Sequence, residues 1–308
     1  MVHIPVLQKE VLAYLDPKPN QDFIDATIGE GGHALAILER TSPNGKLLGI
    51  DWNPEIIENC KLKIENFKKR TTFVCDNFIN LKEIVKRERL LAVSGILFDL
   101  GMSSWHLTET GRGFSFLKNE PLDMRYNPQN PLTAEKIVNY WSKLEIEKIL
   151  RECGEECFAR KIAKKIIEAR KSKPIKTTFQ LVEIIKKSGP FRYQFQKIHF
   201  ATRTFQALRI TVNDELNNLE KALPQTLEVL KPGGRLAIIS FHSLEDRIVK
   251  NFYQSRSPIE SKNIRSSPPF SALGYLKILT KKPIRPQKEE IKINPRTRSA
   301  KLRAAQKV

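Results

Sequence analysis

The chain has 308 residues, 40% of them apolar, and carries 53 Lys and Arg against 34 Asp and Glu, a net charge of +19. That is room for a full α/β domain plus a second module, and so large a positive charge favours polyanionic partners, nucleic acid first. No apolar run approaches the roughly 20 residues that cross a bilayer, and four cysteines in so long a chain argue against a disulfide scaffold.

The N-terminus, Met1-Val2-His3-Ile4-Pro5, lacks the basic-then-apolar layout of a secretory leader, so a cytosolic protein is expected. The first strand is expected at 23–25. It runs into Asp25-Ala26-Thr27-Ile28-Gly29-Glu30-Gly31-Gly32-His33, followed by a helical pattern over 34–38. A second buried strand, 47–51, closes on Asp51. Together these form a β-α-β unit with a glycine turn at its first crossing. Glycines there let backbone approach a ligand, and an acid at the end of the second strand accepts ribose hydroxyls. The spacing gives G-x-G-G, with Ala34 where a dinucleotide fingerprint has its third glycine. Acids on both sides of the turn disfavour a polyphosphate. A cationic nucleoside such as S-adenosylmethionine suits the charge better.

A helix is expected over 54–67, with strands at 72–75 and 95–99. The four strands end near Asp25, Asp51, Asp76 and Asp99, and in an open parallel sheet such ends form the ligand crevice. Residues 101–130 are rich in Gly and Pro and read as loop. Helices then dominate. Ser142/Glu145 and Thr177/Gln180 have capping-box spacing, Phe158, Ile162 and Ile166 repeat every fourth residue, and Ser188-Gly189-Pro190 stops a helix. Cys153 and Cys157 share a helical face for packing, because two further zinc ligands are not spaced nearby. The α/β pattern resumes with a helix capped by Asn213, a turn at 231–234, a strand at 235–241 and a helix opening at Ser243. A loop is expected at 255–270. Residues 281–308 hold ten Lys and Arg against two acids, which favours RNA contact over a merely solvated face.

Long stretches resemble the bacterial 16S ribosomal RNA cytosine-N4 methyltransferases, which use S-adenosylmethionine. They are H-I-P-V-L at 3–7, D-A-T-I-G-E-G-G-H at 25–33, D-L-G-M-S-S at 99–104, G-R-G-F-S-F at 111–116, P-L-D-M-R at 121–125, A-T-R-T-F-Q-A-L-R-I at 201–210, S-F-H-S-L-E-D-R-I-V-K at 240–250 and N-P-R-T-R-S-A-K-L-R-A at 294–304. The resemblance implies a class I methyltransferase fold, a Rossmann-like, open and mostly parallel α/β sheet with an inserted small helical domain. The implied division is 1–103, a helical substrate domain at 104–205, and 206–308 with the basic segment. It implies that Gly31, Gly32 and His33 line the cofactor turn, that Asp51 takes the ribose, that Phe78 flanks the adenine and that Asp99 lies near the methyl donor. His106 stands where the family often has a Gln that contacts the cofactor, so the resemblance implies a cofactor contact there with a different side chain, and His199-Phe200 stands where the family often has His-Pro. The implied substrate is the decoding-site cytosine, position 1402 of 16S rRNA, within the small ribosomal subunit.

Asp99, or a backbone carbonyl after it, is the expected acceptor for the N4 proton, with a pure cofactor-holding role as the alternative. His242 is expected to contact the base, to shuttle a proton or simply to cap a helix. Arg112, Arg125, Arg203 and Arg209 are candidates for RNA phosphate, unless Asp123 or Glu215 pairs with one of them. Trp105 and Phe114 are candidates for stacking on a flipped base. The residues by themselves leave open a methyltransferase of DNA or protein, or a non-catalytic RNA-binding assembly factor.

Overall fold

The structure, a computed structural model, describes residues 5–195, 198–257 and 275–308. The expected loop at 255–270 lies outside them from residue 258 on, as do the first two residues of the 3–7 motif. The chain forms two compact units, Met1–Gly101 with Leu216–Val308, and Met102–Glu215.

The first unit opens on α1 (Gln8–Leu15) and then alternates β1 (Asp22–Asp25), α2 (Gly32–Arg40), β2 (Leu47–Asp51), α3 (Pro54–Lys63), β3 (Thr71–Cys75), α4 (Leu81–Arg87) and β4 (Val93–Asp99). Asn53 caps α3 by accepting the Glu55 N–H at 2.9 Å, and Pro54 fills the first helical position, where its missing N–H does no harm. The helix expected to reach residue 67 ends at Lys63, and Glu65–Phe67 tightens into a 3-10 turn. In β4 every residue from Val93 to Phe98 is buried, as a central parallel strand covered on both faces requires.

The second unit is helical: α5 (Ser104–Thr108), α6 (Ala134–Tyr140), α7 (Lys143–Glu152), α8 (Ala159–Ser172), α9 (Thr178–Lys186) and α10 (Thr202–Asn213). Both capping boxes form, at the starts of α7 and α9. Ile146, Leu150, Ile162, Ile166, Leu181 and Ile185 build its core. The sequence boundary at 205 would cut α10, which lies wholly in this unit. Cys153 and Cys157 share no helix: Cys153 caps the end of α7, and Glu155 turns the chain at φ +49° before α8. Asn213 does not cap a following helix either. It is the last residue of α10, where its side chain accepts the Tyr126 N–H and donates to Met124 O, both at 2.8 Å.

The first unit resumes with α11 (Glu215–Val229), β5 (Leu230–Ser240), α12 (Ser243–Ser255), β6 (Leu276–Ile278), α13 (Lys288–Ile293) and β7 (Lys301–Lys307). The expected turn at 231–234 is a bulge inside β5, whose pairing jumps from Val93↔Leu230 to Gly95↔Arg235. Among the described residues the strands order β3-β2-β1-β4-β5-β7-β6, with β1 to β5 parallel and β7 antiparallel to both neighbours. This is the expected open, mostly parallel sheet. Alternate residues pack on opposite faces, Ile24, Leu48, Ile96 and Ile238 on one and Phe23, Leu47, Leu97 and Ile239 on the other.

The basic C-terminal segment is therefore structural in large part. Leu302, Ala304 and Ala305 are buried in β7. Lys301 and Arg303 reach Asp246 of α12 at 3.0 and 2.7 Å, and Lys307 donates to the carbonyls of Leu227 and Leu230. The alternating apolar positions of 301–307 outweigh their charge, because each cation finds a local acceptor.

Candidate active site

Parallel strands bring their last residues to one edge of the sheet, so Asp25, Asp51 and Asp99 end neighbouring strands there. The turn after β1 rests on that edge. Ala26 N–H donates to Leu97 O and Ile28 N–H to Ile50 O, so backbone from β4 and β2 holds it from both sides. Asp51 accepts the Gly29 N–H at 3.2 Å and the Asn53 N–H at 2.9 Å. Thr27 Oγ1 accepts the Asp99 N–H at 2.6 Å.

The glycines serve more than ligand approach. Gly31 has φ +75°, and a Cβ there would lie 2.7 Å from Cys60 Sγ. A Cβ on Gly32 would lie 2.3 Å from Pro5 Cγ, so the protein's own packing fills these spaces. Gly29, at φ +51°, is the open one, with only Thr27 O within 4 Å of a built Cβ. At Gly101 a Cβ would meet the Phe241 ring at 2.7 Å, so there too the protein's own packing fills the space.

Burial raises all three strand-end carboxyls. Asp25 is pushed up to about 8, chiefly by burial and further by the charges of Asp99 and Asp51. Burial carries Asp99 to about 7 against a backbone hydrogen bond from Gly101, and Asp51 to about 6 against those from Asn53, Gly29 and Trp52. Glu245 adds its charge to the pressure on Asp99. His33, buried at the start of α2, brings Nε2 to 3.7 Å from Asp99 Oδ2. Phe78 follows β3 and packs edge-on against Phe98 at 5.5 Å. Such an edge fits a nucleoside with a positive charge. Carboxylates with spare lone pairs suit hydroxyls, and a cation relieves their mutual repulsion.

The helix α12 opens at Ser243 and His242 is its N-cap, one of the roles expected for it. It forms a capping box with Glu245, and its Nε2 lies 3.0 Å from Glu245 Oε1. Glu245 itself, 3% exposed, accepts the Phe241 N–H at 2.8 Å. Sequence reasoning passed over Glu245 and Thr27. Capping-box spacing counted from His242 would have found the first, whereas no local signal marks Thr27, whose role is a bond across 72 positions.

The remaining predicted residues belong to the helical unit. The His106 ring packs against Phe114 at 5.1 Å and Tyr126 at 4.8 Å, with Ser103 Oγ 2.9 Å from Nδ1. Burial and the nearby Arg112 and Arg209 push its pKa down to about 3, so it is neutral. Phe114 is 6% exposed and stacks on Tyr126, which makes it core rather than a free platform. Trp105 meets the His106 ring edge-on at 5.7 Å. Arg125 is committed to Asp123 and to the carbonyls of Pro128 and Asn130, and Arg209 is paired with both oxygens of Glu215 at 2.9 Å. Arg112 reaches Tyr126 O at 3.5 Å, and Arg203 is half-buried on α10. Bidentate pairing engages Arg125 with Asp123 and Arg209 with Glu215, the structural ion pairs that the sequence left open as the alternative.

Residues 1–308 match the MraW methylase family. The chain is 46% identical over 312 residues to the ribosomal RNA small subunit methyltransferase H of Heliobacterium mobile, covering 99% of each chain. The proteins of that name from Heliobacterium modesticaldum and Syntrophus aciditrophicus are 46% and 44% identical, each match covering 99% of this chain and 98% of theirs. A cluster of carboxylates at the strand ends, an open and mostly parallel sheet and a match along the whole length agree, and the chain belongs to the MraW methylase family.

Proposed function

We propose that this protein methylates the exocyclic N4 of a cytosine in 16S rRNA, at the decoding-site position 1402, within the small ribosomal subunit in the cytoplasm. It is a methyltransferase, and its methyl donor is S-adenosylmethionine. Among the described residues no helix is long and apolar enough to cross a membrane. The substrate reading rests on the full-length likeness to proteins named for small-subunit ribosomal RNA.

The donor supplies an electrophilic methyl group on a sulfonium centre. In the proposed site Asp51 accepts the ribose hydroxyls, Phe78 lies along the adenine, and Gly29, Gly31, Gly32 and His33 form the turn around the donor. The lone pair of the cytosine amine is delocalised into its ring. A carboxylate that accepts an N4 hydrogen localises that lone pair toward the methyl group and takes up the proton released on transfer. Asp99 is assigned this role. The observation that carries it is the position of Asp99 at the end of β4, with a carboxyl that burial raises to about 7, where a base accepts and releases protons near neutral pH. His242 and Glu245 fix the strand end after β5 through their capping box, a positioning role.

The test is methyl transfer from labelled S-adenosylmethionine to small subunits from cells lacking this gene, with mass mapping of the product RNA. N4-methylcytosine at one position of 16S rRNA is expected. Label on DNA or protein instead would overturn the reading.

A further inference from the structure

Among the exposed aromatic rings of the helical unit, two lie side by side. Phe191 and Phe195 open and close the 3-10 turn Phe191–Phe195, 73% and 71% exposed, with ring centroids 4.9 Å apart. Tyr193 between them points the other way. It is 2% exposed, and its hydroxyl donates to Glu156 Oε2 at 2.6 Å and lies 2.9 Å from Phe200 O. The inward anchor thus fixes the turn and holds the two phenyl rings outward together. Single exposed apolar residues are ordinary, but an adjacent pair held in water by an anchored turn marks a binding surface.

The surroundings select the partner. Over 179–195 the exposed charges are Lys186, Lys187 and Arg192 against Glu183. Aromatic faces beside cations suit unpaired nucleotides, whose bases stack while phosphates meet the charges. Phenyl rings carry no hydrogen-bonding group, so they stack without reading base identity.

We infer that Phe191 and Phe195 form a stacking platform for unpaired bases of the RNA substrate, with Lys186, Lys187 and Arg192 on the flanking phosphates. This rests on the proposed RNA substrate and adds where the strand is held. Phe191 and Phe195 lie outside the proposed cofactor residues, so their replacement should leave donor binding intact.

The test uses the full-length F191A/F195A protein and a fluorescent oligonucleotide of small-subunit rRNA sequence, single-stranded or annealed into a duplex. The single-strand dissociation constant should rise about tenfold or more, with duplex binding and calorimetric affinity for S-adenosylmethionine unchanged. The salt slope should stay constant in F191A/F195A. In K186Q/K187Q it should become shallower by about 0.7 for each phosphate no longer neutralised. F191W/F195W should bind at least as tightly as the parent, and F191L/F195L should bind as weakly as the alanine variant. Parental affinity in the alanine or leucine variant would overturn the platform. So would a change of oligomeric state in F191A/F195A by sedimentation, which would assign the rings to a self-interface. If the parent protein itself binds no small-subunit RNA, it is the substrate reading that fails.

Discussion

Asp51 Oδ2 accepts the Gly29 N–H at 3.2 Å, so one carboxylate ties the glycine turn after β1 to the end of β2. The residue assigned to the ribose also holds the loop that surrounds it. Asp51→Ala should weaken S-adenosylmethionine binding by about 1.5–3 kcal/mol, the size of a lost charged hydrogen bond. It should also raise hydrogen exchange at Gly29, whereas Asp51→Asn keeps an acceptor oxygen for that N–H. Unchanged calorimetric affinity in Asp51→Ala would remove the ribose assignment.

Replacing Asp99 tests the chemical step apart from donor binding. Asp99→Asn keeps an acceptor for the Gly101 N–H but loses the basic carboxylate. Single-turnover transfer at saturating donor should fall about 10²-fold, with little change in donor affinity. Burial raises the Asp99 carboxyl to about 7, so it is protonated below that pH and basic above it. The parent rate at subsaturating donor should therefore rise with pH and level off above about 7, an inflection that Asp99→Asn abolishes. A near-normal rate with weakened donor binding would give Asp99 a holding role only.

Asp25 makes a stability prediction of definite sign. Its folded carboxyl is raised to about 8, chiefly by burial, from an ordinary value of 3.8. Between those values the folded chain binds more protons than the unfolded one, so this group's contribution is full at low pH and is lost as pH rises toward 8. Asp25→Asn, which keeps an acceptor for Thr27 N–H, should gain melting temperature over the parent at pH 8 and lose that advantage near pH 4. A difference independent of pH would show that Asp25 is not protonated in the folded protein.

The C-terminal strand should be indispensable for folding. Deleting 281–308 removes β7 from between β5 and β6 and should abolish cooperative melting. Asp246→Ala leaves Lys301 and Arg303 facing each other without their acid and should destabilise by about 3 kcal/mol or more, read from denaturant midpoints. The exposed Lys281, Lys282 and Arg285, changed to Gln, should alter stability by less than about 0.5 kcal/mol. A folded truncated chain would return this segment to an accessory role.

The four strands of the first hundred residues, the helices after the first two of them, the strand-end acids and both capping boxes were legible in the sequence. Each is written locally, as an apolar period, a glycine beside a helix start, or a cap three residues before its partner. What tertiary structure decided were the pairings between distant segments. Local pattern could not tell that Gly101 makes room for Phe241, that Arg125 and Arg209 are consumed by ion pairs, or that Thr27 holds the end of β4. Nor could charge alone place Lys301 and Arg303 beside Asp246, because a cation reads the same in sequence whether water or a buried acid neutralises it. Periodicity records which face of an element is apolar, and only the folded chain decides which residue that face meets.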